Sequence, residues 1–132
     1  MPSVSMAERF LEKLAGGDLD DLLSEGAVSW HNLDGVESPV SPTATANFAA
    51  VRAAFPDFRY ADVRYTVSED GVSLARFTLM ATLADGSQLR APGCLVVTEQ
   101  NGLITRVEEY LDGRHLVPLV EALAAARIGG GQ

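Results

Sequence analysis

Three dipeptides divide the second half of the chain at nearly even spacing: Asp70-Gly71, Asp85-Gly86 and Asn101-Gly102. An aspartate or asparagine followed by glycine supplies the positive backbone angles that a tight hairpin turn needs. The stretches they separate, 58–67, 72–83, 88–98 and 103–111, have strand length and are rich in apolar residues. Three such turns in succession imply a four-stranded antiparallel meander.

The first half reads differently. Val4, Ala7, Phe10, Leu11 and Leu14 recur at helical spacing. Asp18 is placed to cap a short second helix through Leu23, because its carboxylate can accept from an orphan amide. Residues 27–32 alternate as a strand, and Pro39 punctuates the connection that follows. Phe48, Val51 and Phe55 make the apolar stripe of a further helix, which Pro56 ends. Beyond the meander, 115–127 again has helical character, with Pro118 in or near its first turn. Helices first and a meander second is an α+β pattern. A long twisted sheet can curl around the N-terminal helices and leave a conical cavity between them, with its opposite face needing cover. The reading is a single domain over 1–128 and a flexible Gly-rich tail at 129–132.

Composition narrows the function classes. A chain of 132 residues fits one domain, and its 47% apolar and 21% charged content is that of an ordinary soluble protein. No apolar run reaches the roughly 18 residues of a membrane span, and residues 1–9 carry nothing resembling an export signal. Cys94, the single cysteine, cannot form an internal disulfide, which is consistent with the cytoplasm. A formal charge of −8 repels nucleic acid and anionic membranes alike. Two histidines and one cysteine without a carboxylate cluster around them argue against a metal site, and no cofactor is expected.

Three short segments carry the chemistry: Trp30-His31-Asn32, Arg76-Phe77-Thr78 and Glu108-Glu109-Tyr110. In a regular strand Trp30 and Asn32 share one face and His31 takes the other, unless a bulge intervenes. By the same alternation Arg76, Thr78 and Met80 share a face, and so do Val107 and Glu109. Trp30 reads as a pocket wall. Asn32 either positions a water or carbonyl, or satisfies backbone groups near the Asp34 turn. Phe48, Val51, Phe55 and Met80 line a cavity or belong to the core. Tyr60 and Tyr110 are within reach of a ligand, although strand tyrosines mostly serve packing, and Cys94 reads as a buried, inert thiol.

The order of elements, with Trp30-His31-Asn32, Phe55-Pro56-Asp57-Phe58, Asn101-Gly102-Leu103-Ile104 and Glu109-Tyr110-Leu111-Asp112, resembles the nuclear transport factor 2-like superfamily. The likeness runs from residue 6 to about residue 123. It is greatest to the polyketide cyclase (SnoaL-like) and limonene-epoxide-hydrolase-like members. It implies a cone-shaped roll, usually dimeric, in which N-terminal helices pack on a curved antiparallel sheet beside a C-terminal helix. Members range from cyclases, isomerases and dehydratases to proteins without catalysis, so the fold does not fix the function.

Against the epoxide hydrolase pattern, Asn32 matches the water-holding asparagine, Arg76 the arginine between carboxylates, and Glu109 the last-strand acid. Trp30, Thr78 and Val107 stand where that family has a tyrosine, an aspartate and a tryptophan. One of the two acids is therefore missing, which argues against epoxide hydrolysis by that mechanism. The steroid isomerase branch matches less well, since the first helix has no tyrosine and no carboxylate falls near His31 or Asn32. If the family geometry holds, Arg76 and Glu109 both face the cavity, either as an acid–base pair or as a brace between strands.

The resemblance thus implies a protein that binds a small, largely apolar organic molecule in a conical pocket. The chemistry implied is cofactor-free acid–base catalysis of isomerase, cyclase, dehydratase or hydrolase type. Glu109, Arg76 and Asn32 would act in it, and Trp30, Phe48, Val51, Phe55, Thr78, Met80 and Val107 would contact the ligand. The alternative is a non-catalytic ligand-binding or dimerisation module. A homodimer through the outer sheet face is expected in either case.

Overall fold

The computed structural model describes residues 4–16, 18–41, 43–68 and 70–130. Within them the chain runs through α1 (Met6–Gly16), a 3-10 turn (Leu19–Leu22), β1 (Leu23–His31), β2 (Glu37–Pro39) and α2 (Thr43–Ala54). It continues as β3 (Arg59–Val67), β4 (Val72–Thr82), β5 (Gln88–Gln100), β6 (Leu103–Leu111) and α3 (Gly113–Gly130). The meander forms as the turn dipeptides dictate, with β3–β4, β4–β5 and β5–β6 all antiparallel. Gly71, Gly86 and Gly102 take φ of +82°, +88° and +81°, angles that side chains other than glycine rarely tolerate.

The sheet is six-stranded, in the order β2-β1-β6-β5-β4-β3, and it is mixed, where an antiparallel sheet was expected. β1 lies parallel to β6. Hairpin-linked strands have no choice of direction, but β1 and β6 are separated by α2 and the whole meander, so either direction is open to them. The short edge strand β2 was read as a connection. Pro39 at its end is tolerated because an edge strand leaves one side unpaired. The second helix shrinks to a 3-10 turn. Asp18 makes no side-chain cap, and the turn is closed instead by the Asp21 amide donating to the Asp18 carbonyl at 3.3 Å. α3 reaches two residues into the stretch expected as a tail, and runs through Pro118. Residues 131 and 132 lie outside the described part.

The helices cover one face of the sheet. α1 buries Met6, Ala7, Phe10 and Leu11; of the stripe its spacing foretold, Leu14 is partly buried and Val4 lies exposed before the helix. Its first turn is docked by the Ala7 amide, which donates to Ser73 Oγ on β4 at 2.9 Å. From the sheet, Ala75, Phe77, Leu79 and Ala81 of β4 meet the helices, as do Leu89, Ala91, Leu95 and Val97 of β5 and Ile104, Val107 and Leu111 of β6. Each leucine- or phenylalanine-sized side chain buried there stabilises the fold by about 1.5–3 kcal/mol.

The sheet curls strongly. β3 and β6 are three strand spacings apart, which on a flat sheet is about 14 Å. Even so, Tyr60 of β3 hydrogen-bonds Glu109 of β6 at 3.2 Å. Gly93 on β5 permits the close approach behind this curl. A Cβ there would stand 2.5 Å from Leu111 Cδ2 and 2.8 Å from Phe77 Cε1. On β3, Asp62 at φ +53° coincides with a register slip between Ala61 and Arg64, a bulge that adds to the bend.

Candidate active site

Between the curled sheet and the three helices lies a partly open cavity of about 180 Å³. α1 contributes Phe10 and Leu14, α2 contributes Phe48 and Val51, and α3 contributes Leu116 and Leu119. Leu79, Leu95, Val107 and Leu111 form the sheet side. The polar groups in this apolar shell are Ser29, His31, Tyr60 and Glu109, with Asn47 of α2 at an exposed position.

Glu109 is the centre of the polar group. Its Oε2 accepts from the Tyr60 hydroxyl at 3.2 Å, and its Oε1 lies 3.3 Å from His31 Nε2. Glu109 is 13% exposed and His31 37%, so the carboxylate sits inside with the imidazole between it and solvent. Backbone pairing sets this meeting, because His31 and Glu109 are register partners of the parallel β1–β6 ladder and point to the same side. Asn32 then locks the strand end. Its amide donates to the Glu109 carbonyl at 3.1 Å. Its side chain donates to the Leu111 carbonyl at 3.0 Å and accepts from the Leu111 amide at 2.8 Å. A side-chain amide thereby stands in for one more rung of ladder.

The surroundings shift two of these groups. The hydrogen bond to Glu109 raises the His31 pKa above 6.5 against the opposing effect of burial, with the charges of Glu109 and Asp34 adding to the rise. Burial, and then the negative charge of Glu109, push the Tyr60 phenol well above 10. Tyr60 is therefore a neutral donor at physiological pH. The result is a carboxylate with a hydrogen-bond partner on each oxygen, one of them a group that charges near neutrality. Among the described residues, no group of three His, Cys, Asp or Glu side chains is arranged to hold a metal ion.

The structure sorts the residues singled out by sequence. Glu109, Val107, Phe48 and Val51 line the cavity, and Trp30 borders it. The indole of Trp30 packs at 5.3 Å against Tyr110, the neighbour of inward-facing Glu109 and so on the outer sheet face. Arg76 does not join Glu109. It lies exposed on the outer face, opposite Arg64 on β3 and Cys94 on β5. Thr78 and Met80 share its side and do not line the cavity, because apolar Ala75, Phe77, Leu79 and Ala81 take the inner one. Phe55 is core without reaching the cavity. His31, expected to face away from the cavity, lies in its lining, and Asn32 binds the Leu111 backbone instead of reaching the pocket. Cys94 is partly buried, and its thiol is pushed up by desolvation, with nearby Arg76 opposing.

Sequence reasoning weighed Tyr60 as a ligand contact or as packing, and missed its bond to Glu109. The available signal was its alternation with Phe58, which places both rings inward on entry to β3.

Residues 7–107, most of the chain, match the family described as the SnoaL-like domain. The chain belongs to that family. No curated protein matches its sequence. Several solved structures share the SnoaL-like chain's fold. A candidate polyketide cyclase from Xanthomonas campestris superposes with a TM-score of 0.70 at 17% identity, over 85% of this chain and 91% of that one. A second, from Pseudomonas putida, gives 0.68 at 20% identity, over 91% and 98%. A protein of ketosteroid isomerase-like fold from Catenulispora acidiphila, solved in complex with trimethylamine, gives 0.66 at 10% identity, over 83% and 86%. At these identities the likeness establishes the fold of this SnoaL-like protein. Its chemistry has to be argued from its own pocket.

Proposed function

We propose that this SnoaL-like protein binds a small, largely apolar organic molecule and moves a proton on it without a cofactor. One observation carries the reading: Glu109 is held between Tyr60 and His31 at the polar end of an otherwise apolar cavity. In this role Glu109 is the base that takes a proton from a ligand carbon or a bound water. Protonated His31 balances its charge and returns the proton, and Tyr60 fixes the carboxylate's orientation. That chemistry serves isomerisation, cyclisation, dehydration or water addition. The names of the polyketide cyclase neighbours and the small ligand of the Catenulispora protein support the same class.

The protein acts as a homodimer through the outer sheet face, in the cytoplasm. The Trp30–Tyr110 ring pair supports the first, since Tyr110 is 41% exposed on the outer sheet face. The unpaired Cys94 is in keeping with the second.

The test is proton exchange. Cyclohexanone and acetophenone are incubated in deuterated water with the protein, and loss of the proton next to the carbonyl is followed by NMR. The wild type is expected to accelerate exchange, and Glu109→Gln to lose it by at least about a hundredfold, the usual share of a general base, with its circular dichroism unchanged. Undiminished exchange in that variant removes Glu109 from the mechanism. Binding without exchange in the wild type leaves the non-catalytic ligand-binding module as the reading.

A further inference from the structure

We infer that the pocket accepts a ligand of one ring, or an acyclic molecule of similar bulk, and that Phe48 sets this limit. The inference rests on the pocket being the ligand site, as proposed above. The cavity measures about 180 Å³. A cavity of about 150 Å³ lined by Leu, Ile and Phe is known to hold benzene, whereas sites for drug-sized ligands span about 300–1,000 Å³. The smallness has a visible cause in a cluster of rings. Tyr60 is fixed by its bond to Glu109 and by Phe77, edge-on at 4.7 Å. Phe48 lies nearly parallel to Tyr60 at 6.4 Å, with planes 13° apart, and meets Phe58 edge-on at 5.9 Å.

Phe48 comes from α2, while Phe58 and Tyr60 come from the sheet side, so this ring narrows the space between helix and sheet. Two contacts of Arg52 brace it. The Arg52 guanidinium sits 5.3 Å over its ring, and the same arginine donates from Nε to the Phe58 carbonyl at 2.7 Å. Truncating Phe48 adds room for about one ring and leaves the Tyr60–Glu109 bond in place. The polar end of the pocket calls for one oxygen function on the ligand, which makes single-ring ketones and alcohols the matching class.

Two ketones test this by calorimetric titration: acetophenone with one ring and 2-acetylnaphthalene with two. A pocket with room to spare prefers the larger ketone, which buries more apolar surface; a size-limited pocket reverses the order. The wild type is expected to bind acetophenone at least tenfold more tightly than 2-acetylnaphthalene. Phe48→Ala is expected to gain at least tenfold for the naphthyl ketone, with Phe48→Leu as the milder variant should the alanine protein not fold. Naphthyl binding to the wild type as tight as phenyl binding overturns the inference, as does failure of both ketones to bind the folded protein. So does a naphthyl affinity that neither variant raises. Glu109→Gln separates this from the catalytic reading: it should lose exchange and keep the ring preference, so one proposal can fail while the other stands.

Discussion

A carboxylate inside an apolar shell is tolerated only when its oxygens are satisfied, since a lone buried charge costs several kcal/mol of desolvation. Glu109 meets that condition with one neutral donor and one ionisable one, Tyr60 and His31. Arg76 follows the same rule in the opposite direction. With no carboxylate partner among the described residues, it lies exposed on the outer face, opposite Arg64 across β3 and β4. Like charges at directly opposed positions destabilise a strand pair. Arg76→Glu is therefore expected to raise the urea midpoint, by about 0.2–1 kcal/mol of stability, and to leave proton exchange unchanged. A clear loss of stability or of exchange would mean that Arg76 supports the pocket after all. At this scale the sequence singled out Glu109, which the structure places in the cavity lining, but not its partners Tyr60 and His31. Alternation along β1 correctly sets Trp30 against His31, yet it carries no sign. The helices selected the side with small Ala27 and Ser29, which put the imidazole in and the indole out.

Among the elements, those written in local backbone chemistry were legible and those made by distant contact were not. The turns at Gly71, Gly86 and Gly102 follow from angles that only a few residue types adopt, so the meander could be read directly. The parallel seam between β1 and β6 depends on a return across most of the chain, and nothing local specifies it. The curl is of the same kind. It depends on Gly93, which has an ordinary backbone angle and is remarkable only for how closely Phe77 and Leu111 lie over it. Gly93→Ala is expected to destabilise the protein by about 1–3 kcal/mol, the usual cost of overpacking, in urea denaturation. An unchanged midpoint would show that the sheet does not need this close approach.

For the whole molecule, the outer face and the pocket are two sides of one sheet. Trp30 presents its ring on the outer side and its successor, His31, lies in the pocket lining. Light scattering is expected to give a dimer mass for the wild type and a monomer for Tyr110→Glu, which puts a charge into the proposed interface. A wild-type monomer would contradict the dimer. The same architecture makes stability depend on pH. Because its folded pKa is raised, His31 contributes stability in full below 6.5, and that contribution fades as pH rises through the folded value.

The meeting of β1, β3 and β6 at Glu109 is what everything else depends on, and the titration of His31 reports it directly. Of the two histidines, His31 is assigned in the NMR spectrum through the His31→Gln variant. Its midpoint is expected above 6.5 in the wild type and lower in Glu109→Gln, as the bond that raises it is lost. Equal midpoints in the two proteins would mean that His31 and Glu109 do not meet, and would contradict the account.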